Sequence, residues 1–180
     1  MSKIGVSKFY YGLQTTEDEA SSAAVYATPV AIPGLVSIEV TPTSNTATLY
    51  ADNGPYETSS SLGSVDVSID LADLPLNDQA ALLGHTITSG KLDKKASDTP
   101  PYTAVMFEFL MANGKKRCVK LYKGKFALPT ESGNTRGENV EFQTTQISAS
   151  FVQLKNNQMY ESVQDFDADA STDSWYSSVL

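Results

Sequence analysis

Apolar and polar positions alternate without a break along residues 65–71: Val65, Val67, Ile69 and Leu71 against Asp66, Ser68 and Asp70. That period of two predicts a strand with one face buried and one wet. The period then lengthens. In ADLPLNDQAALLGH (72–85), Leu76, Ala80 and Leu83 recur at helical spacing, Pro75 or Asn77 suits a helix start and Gly84 a stop. The pattern predicts one short helix of about three turns with its apolar stripe laid on a sheet.

From 102 to 128, two apolar-rich runs, YTAVMFEFLMA and KKRCVKLYKGKFAL, flank Asn113-Gly114. This is a hairpin signature, because both central positions of the favoured turn need positive φ. Val105, Phe107, Phe109 and Met111 would line one face of its first strand. Val119 and Leu121 would form the apolar face of the second, with Lys120 and Tyr122 opposite. In ENVEFQTTQISASFVQL (138–154) the apolar parity runs Val140, Phe142, then Ile147, Ala149, Phe151. The shift near Thr144-Thr145 predicts a bulge or bend in a long strand.

Earlier strands are expected over 7–14 and about 36–50, the latter with Pro42 at an edge or kink. TTEDEASSAA (15–24), DNGPYETSSSLGS (52–64) and KLDKKASDTPP (91–101) read as loops. The fold class is mostly β: two packed antiparallel sheets, sandwich or barrel-like, with one short flanking α-helix, a long inter-strand loop and terminal arms. The domain organisation is a β-domain with an N-terminal arm over 1–160 and an acidic C-terminal arm over 161–180. Trp175, Tyr176 and Leu180 at the end of that arm predict a tail that docks on something.

A length of 180 residues fits one domain with a sizeable core. A single cysteine, Cys118, excludes an intrachain disulfide or a cysteine-based zinc site. No apolar run has signal-peptide or membrane-spanning length, so the expectation is a cytosolic protein, or one exported by another route, with no membrane anchor. The net charge of −8 disfavours general nucleic-acid binding. It is unevenly spread: nine of the 13 Lys and Arg fall between Lys91 and Lys125, whereas residues 1–90 hold two bases against ten acids. Either these charges form a solvated surface, or the positive part of one subunit meets the negative part of the next.

Signals for chemistry are weak. His85, the only histidine, directly follows the helix-stop glycine, and no G-x-S-x-G elbow accompanies it. No phosphate-cradling glycine loop is present. Asp165, Asp167, Asp169 and Asp173 lack the glycine and terminal glutamate of a calcium loop, and no spacing singles out a carboxylate pair among 21 acids. KKRCVKLYKGKF (115–126) interleaves bases with aromatics as a single-strand binder would. A charged subunit contact accounts for it more economically. No enzyme activity and no cofactor are expected.

Six stretches together resemble the major tail proteins, or tail-tube proteins, of long-tailed phages that infect Gram-positive bacteria. They are LYADNGPYET (49–58), VDVSIDLADLPLNDQAALLGH (65–85), AVMFEF (104–109), LYKGKFALP (121–129), FQTTQISASF (142–151) and the closing Trp175-Tyr176. The resemblance implies two packed sheets with one helix, a long loop and terminal arms, six copies joined edge to edge into rings, and rings stacked into a hollow tube. It implies a virion protein made in the host cytoplasm, with tape-measure and tail-terminator proteins as partners. DNA would pass through the lumen without specific binding. The residues expected at assembly interfaces are Asp52, Asn53, Tyr56 and Glu57 in the loop, Lys115, Lys116 and Arg117 at the hairpin, and Trp175 in the tail. The alternatives are the inner tube of a contractile tail or tail-derived bacteriocin, and a carbohydrate-binding β-sandwich of a cell surface or tail tip.

Overall fold

The computed structural model describes residues 2–19, 22–131, 133, 135, 142–164 and 174–180. Two antiparallel sheets are present, one of nine strands and one of two. The strands of the large sheet are β1 (Lys3–Thr16), β2 (Val25–Tyr26), β3 (Val30–Ile32), β4 (Leu35–Ala51), β5 (Gly54–Leu71), β8 (Thr103–Met111), β9 (Lys116–Phe126), β10 (Thr145–Val152) and β11 (Tyr160–Gln164). The helix α1 (Leu76–Leu83) and the small hairpin of β6 (Thr86–Thr88) and β7 (Lys91–Asp93) lie between β5 and β8.

The path through the large sheet is β2-β1-β8-β9-β10-β5-β4, with β3 added beside β1 and β11 beside β9. Its two halves fold over one another, because their inward residues share one core. Phe9 and Tyr11 of β1 and Val105 and Phe107 of β8 meet Val67 and Ile69 of β5 and Ile147 and Phe151 of β10. The sheet does not close into a barrel. Among the described residues it ends at the edge of β4 on one side and at β2 and β3 on the other.

β9 is the hinge between the halves. One edge pairs with β8; the other pairs first with β11 (Leu121↔Tyr160) and then with β10 (Gly124↔Phe151). Gly124 is required at that crossing, since a Cβ there would lie 2.5 Å from the Phe151 ring.

The alternating run 65–71 is a strand as its pattern predicts, its four apolar residues fully buried. The helix follows, two turns long rather than three, closed by Gly84 in the left-handed region at φ 71°. Leu76 is exposed, so the buried side is formed by Ala80, Leu82 and Leu83. Asp78 in the first turn accepts a hydrogen bond from the Tyr11 hydroxyl at 2.8 Å, tying the helix to β1.

Other expectations change as well. Residues 54–64 are not a loop but the outer half of β5, which pairs with β4 as far as Ala51↔Gly54. Lys91–Asp93 of the expected loop 91–101 is strand β7. β10 begins at Thr145, and Phe142 is 95% exposed outside it, while Val140 lies outside the described residues. In the β8–β9 turn only Gly114 has positive φ, at 77°; Ala112-Asn113-Gly114 form a three-residue connection between Met111 and Lys115.

The outer face of β9 is also dry. Lys120 and Tyr122 are buried there, Tyr122 within a second cluster that includes Tyr10, Met106, Leu154, Tyr176 and Val179. The alternation on β9 is real, but residues 174–180 cover the face that periodicity assigns to water. The expected boundary at 160/161 falls inside β11, whose five residues all pair with β9.

Candidate assembly surfaces

Beyond Val65 the β4–β5 pair loses β10 as a neighbour and continues alone as a two-stranded ribbon. Pairing runs from Ser44↔Leu62 to Ala51↔Gly54, which at about 3.3 Å per residue makes the arm roughly 25 Å long. Of residues 43–62, all but Thr48, Ala51 and Gly54 are exposed. Among the described residues no other strand pairs with either edge of the ribbon.

The tip is a two-residue turn made by Asp52 (φ 49°) and Asn53 (φ 64°), the left-handed pair that twists with the strands it joins. Next to it Leu49 faces Glu57 and Tyr50 faces Pro55 across the ribbon. Tyr50 and Tyr56 are 71% and 72% exposed, and Leu49 and Leu62 also stand in solvent. These four large apolar side chains stand on an arm with no core beneath them.

The expected interface residues fall on three separate elements. Asp52, Asn53, Tyr56 and Glu57 are at the ribbon tip. Lys116 and Arg117 begin β9 at the turn end of the β8–β9 hairpin, and Lys115, just before the strand, is exposed. Lys116 lies 3.6 Å from Glu108, and Arg117 donates to Gln164 Oε1 at 3.2 Å. Trp175 is buried against its own chain, its ring 4.4 Å from Lys120 Nζ. Glu108 draws the last two groups together, because it also accepts a hydrogen bond from Tyr176 at 3.1 Å. Among the described residues no hydrogen bond or ion pair links them to the ribbon tip.

The basic stretch is largely engaged within the subunit. Lys123 pairs with Asp18, whose carboxylate also accepts the Lys155 N–H at 2.6 Å. Burial works to raise the Asp18 pKa, but these bonds and the Lys123 charge outweigh it and bring it down to about 2. Lys123 and Lys125 both lie over the Tyr102 ring, and Lys94 reaches Glu131. Burial lowers the Lys120 pKa, which makes its carbonyl partners on the tail important to the charged form.

His85 Nδ1 lies 2.8 Å from Asp98 Oδ2, and the same oxygen accepts the Lys95 N–H at 2.9 Å. The Asp98 pKa is lowered first by that backbone bond and then by His85. The pair ties the helix end to the loop leading into β8. Among the described residues no group of three or more His, Cys, Asp or Glu is placed to hold a metal ion, and no helix is long and apolar enough to cross a membrane. Asp165, Asp167, Asp169 and Asp173 lie outside the described residues.

No family model matches the chain, and no curated protein matches it. Among solved structures, the chain is similar to the anti-feeding prophage cap, described as a tube-terminating cap. The likeness spans 86% of this chain and 87% of that one at 9% identity, with a TM-score of 0.49. At that score it carries no argument about function.

Proposed function

We propose that the protein is the structural subunit of a phage tail tube, assembling as six-membered rings that stack into a hollow conduit for the genome. The observation that carries this reading is the free ribbon of residues 43–62. A two-stranded ribbon standing alone in water is marginal by itself, and exposed tyrosines and leucine at its tip favour a neighbouring subunit as the surface that holds it. The sheet edges at β4 and at β2 and β3 supply the second requirement. Edges of this kind are a liability for a monomer, and ring closure removes them. The order of the six sequence stretches that resemble tail-tube proteins supports the same reading.

In this reading the subunit works by geometry and charge rather than by bond chemistry. The net charge of −8 gives the tube walls an overall repulsion toward DNA, so the genome slides without being held.

The test is negative-stain microscopy of purified protein at high concentration, with the Asp52→Lys/Glu57→Lys double variant beside it. Rings or tubes are expected for the unaltered chain, and a folded, non-polymerising monomer for the variant. A unaltered chain that stays monomeric at every concentration overturns the reading.

A further inference from the structure

Residues 174–180, SWYSSVL, lie on the outer face of β1, β8 and β9 as a ligand lies in a site. Among the described residues no backbone-to-backbone hydrogen bond joins them to the body. Attachment is by side chains and terminal carbonyls. The Tyr176 ring stacks on Tyr10 at 4.7 Å, and its hydroxyl donates to Glu108. Lys120 Nζ donates to the carbonyls of Ser178 and Val179 at 3.0 and 3.2 Å. Val179 fills a notch above Gly12, where a Cβ would come within 2.7 Å of its Cγ2.

The segment takes no part in the main core, although Val179 belongs to the second cluster together with Ala104, Met106 and Tyr122. The main core is built from residues between Phe9 and Met159, so nothing beyond Met159 is needed to complete it. The fit of the segment in its own chain is also incomplete. Among the described residues the Trp175 indole N–H is buried with no hydrogen-bond partner, an arrangement that burial penalises. Its end borders two open spaces, about 270 Å³ against residues 24–29 and about 150 Å³ beside Asp18 and Leu154. Nine residues, 165–173, separate the segment from β11 in the sequence.

We propose that this face is a peptide-binding socket whose ligand is the SWYSSVL segment, taken from a second copy of the chain as readily as from its own. The recognition chemistry is an aromatic stack, a buried ammonium reading two successive carbonyls, and a valine in a glycine notch. Every one of these contacts is available to the same segment arriving from a neighbour, so exchange conserves them while linking two bodies. Proximity in an assembly supplies the local concentration that favours the exchanged form. The inference goes beyond the tube reading and holds for isolated subunits.

Trp175 is the only tryptophan, so a chain ending at residue 173 is dark and the acetylated SWYSSVL peptide carries the signal. Titrating peptide with the truncated chain should give saturable binding with a blue shift of tryptophan emission. Lys120→Ala in the truncated chain should weaken it at least tenfold, and Gly12→Val should abolish it. A second measurement mixes full-length Gly12→Val, which has a segment without a seat, with the truncated chain, which has a seat without a segment. A one-to-one complex is expected by light scattering, dissolved by excess peptide but unaffected by the Asp52→Lys/Glu57→Lys change that tests polymerisation. A truncated chain that does not fold, no peptide uptake at millimolar concentration, or equal uptake by the Gly12→Val form overturns the proposal.

Discussion

Asp18 illustrates how much a single side chain can depend on distant parts of the sequence: it lies just after β1, yet its partners are Lys123 and Lys155. Its pKa of about 2 in the folded chain lies below the ordinary carboxylate value of about 3.9. The folded state therefore binds this proton less readily than the unfolded state. The resulting stabilisation is complete above about pH 4 and is lost as the pH falls toward 2. Urea unfolding of the unaltered chain and of Asp18→Asn across pH 5 to 2 should give curves that differ most at pH 5 and converge in acid. Gly124 makes a simpler prediction. Gly124→Ala forces a methyl against the Phe151 ring and should destabilise the fold by about 1–3 kcal/mol, read from denaturant midpoints. Neither residue declared itself in the sequence, because a glycine and an aspartate among polar neighbours look the same whether they face water or a packed ring.

At the scale of elements, legibility followed the dryness of one face. The strand at 65–71, the helix ending at Gly84 and the hairpin around Gly114 were all marked by apolar periodicity and a turn residue, and all are present. The strand expected over about 36–50 is β4, one side of the ribbon, but the other side, 54–64, was hidden by its own chemistry. Thr46, Thr48, Thr58 and Ser60 suit a strand, but both faces are wet, so no period of two survives to mark it. Its turn signal was nevertheless there, with Asp52-Asn53 at the bend. Excising residues 44–61 and joining the ends with Asn-Gly should leave the thermal unfolding of the body nearly unchanged, since no ribbon residue belongs to the buried core. The same excision should abolish polymer seen by microscopy.

At the scale of the molecule, part of the uneven charge visible in the sequence is balanced inside the subunit, where Lys94, Lys116 and Lys123 pair with Glu131, Glu108 and Asp18 and the tail carbonyls hold Lys120. Periodicity could not reveal this, because the partners come from segments more than 50 residues away in the case of Lys120 and the tail. It follows that assembly should respond only modestly to salt: polymer yield measured by sedimentation should change little between 50 and 300 mM NaCl, on the order of the Debye screening of a few exposed pairs. The position of β9 has a further consequence, concerning synthesis. The nascent chain makes the ribbon early, but β5 gains its other neighbour only when residues 145–152 emerge, and the outer edge of β9 is covered only when β10 and β11 have been made. During that interval the longest strands of the protein are present without their sheet. Pro42 and Pro55, one in each strand, remove two N–H donors from the waiting hairpin and weaken its edges as templates while the rest of the sheet is made.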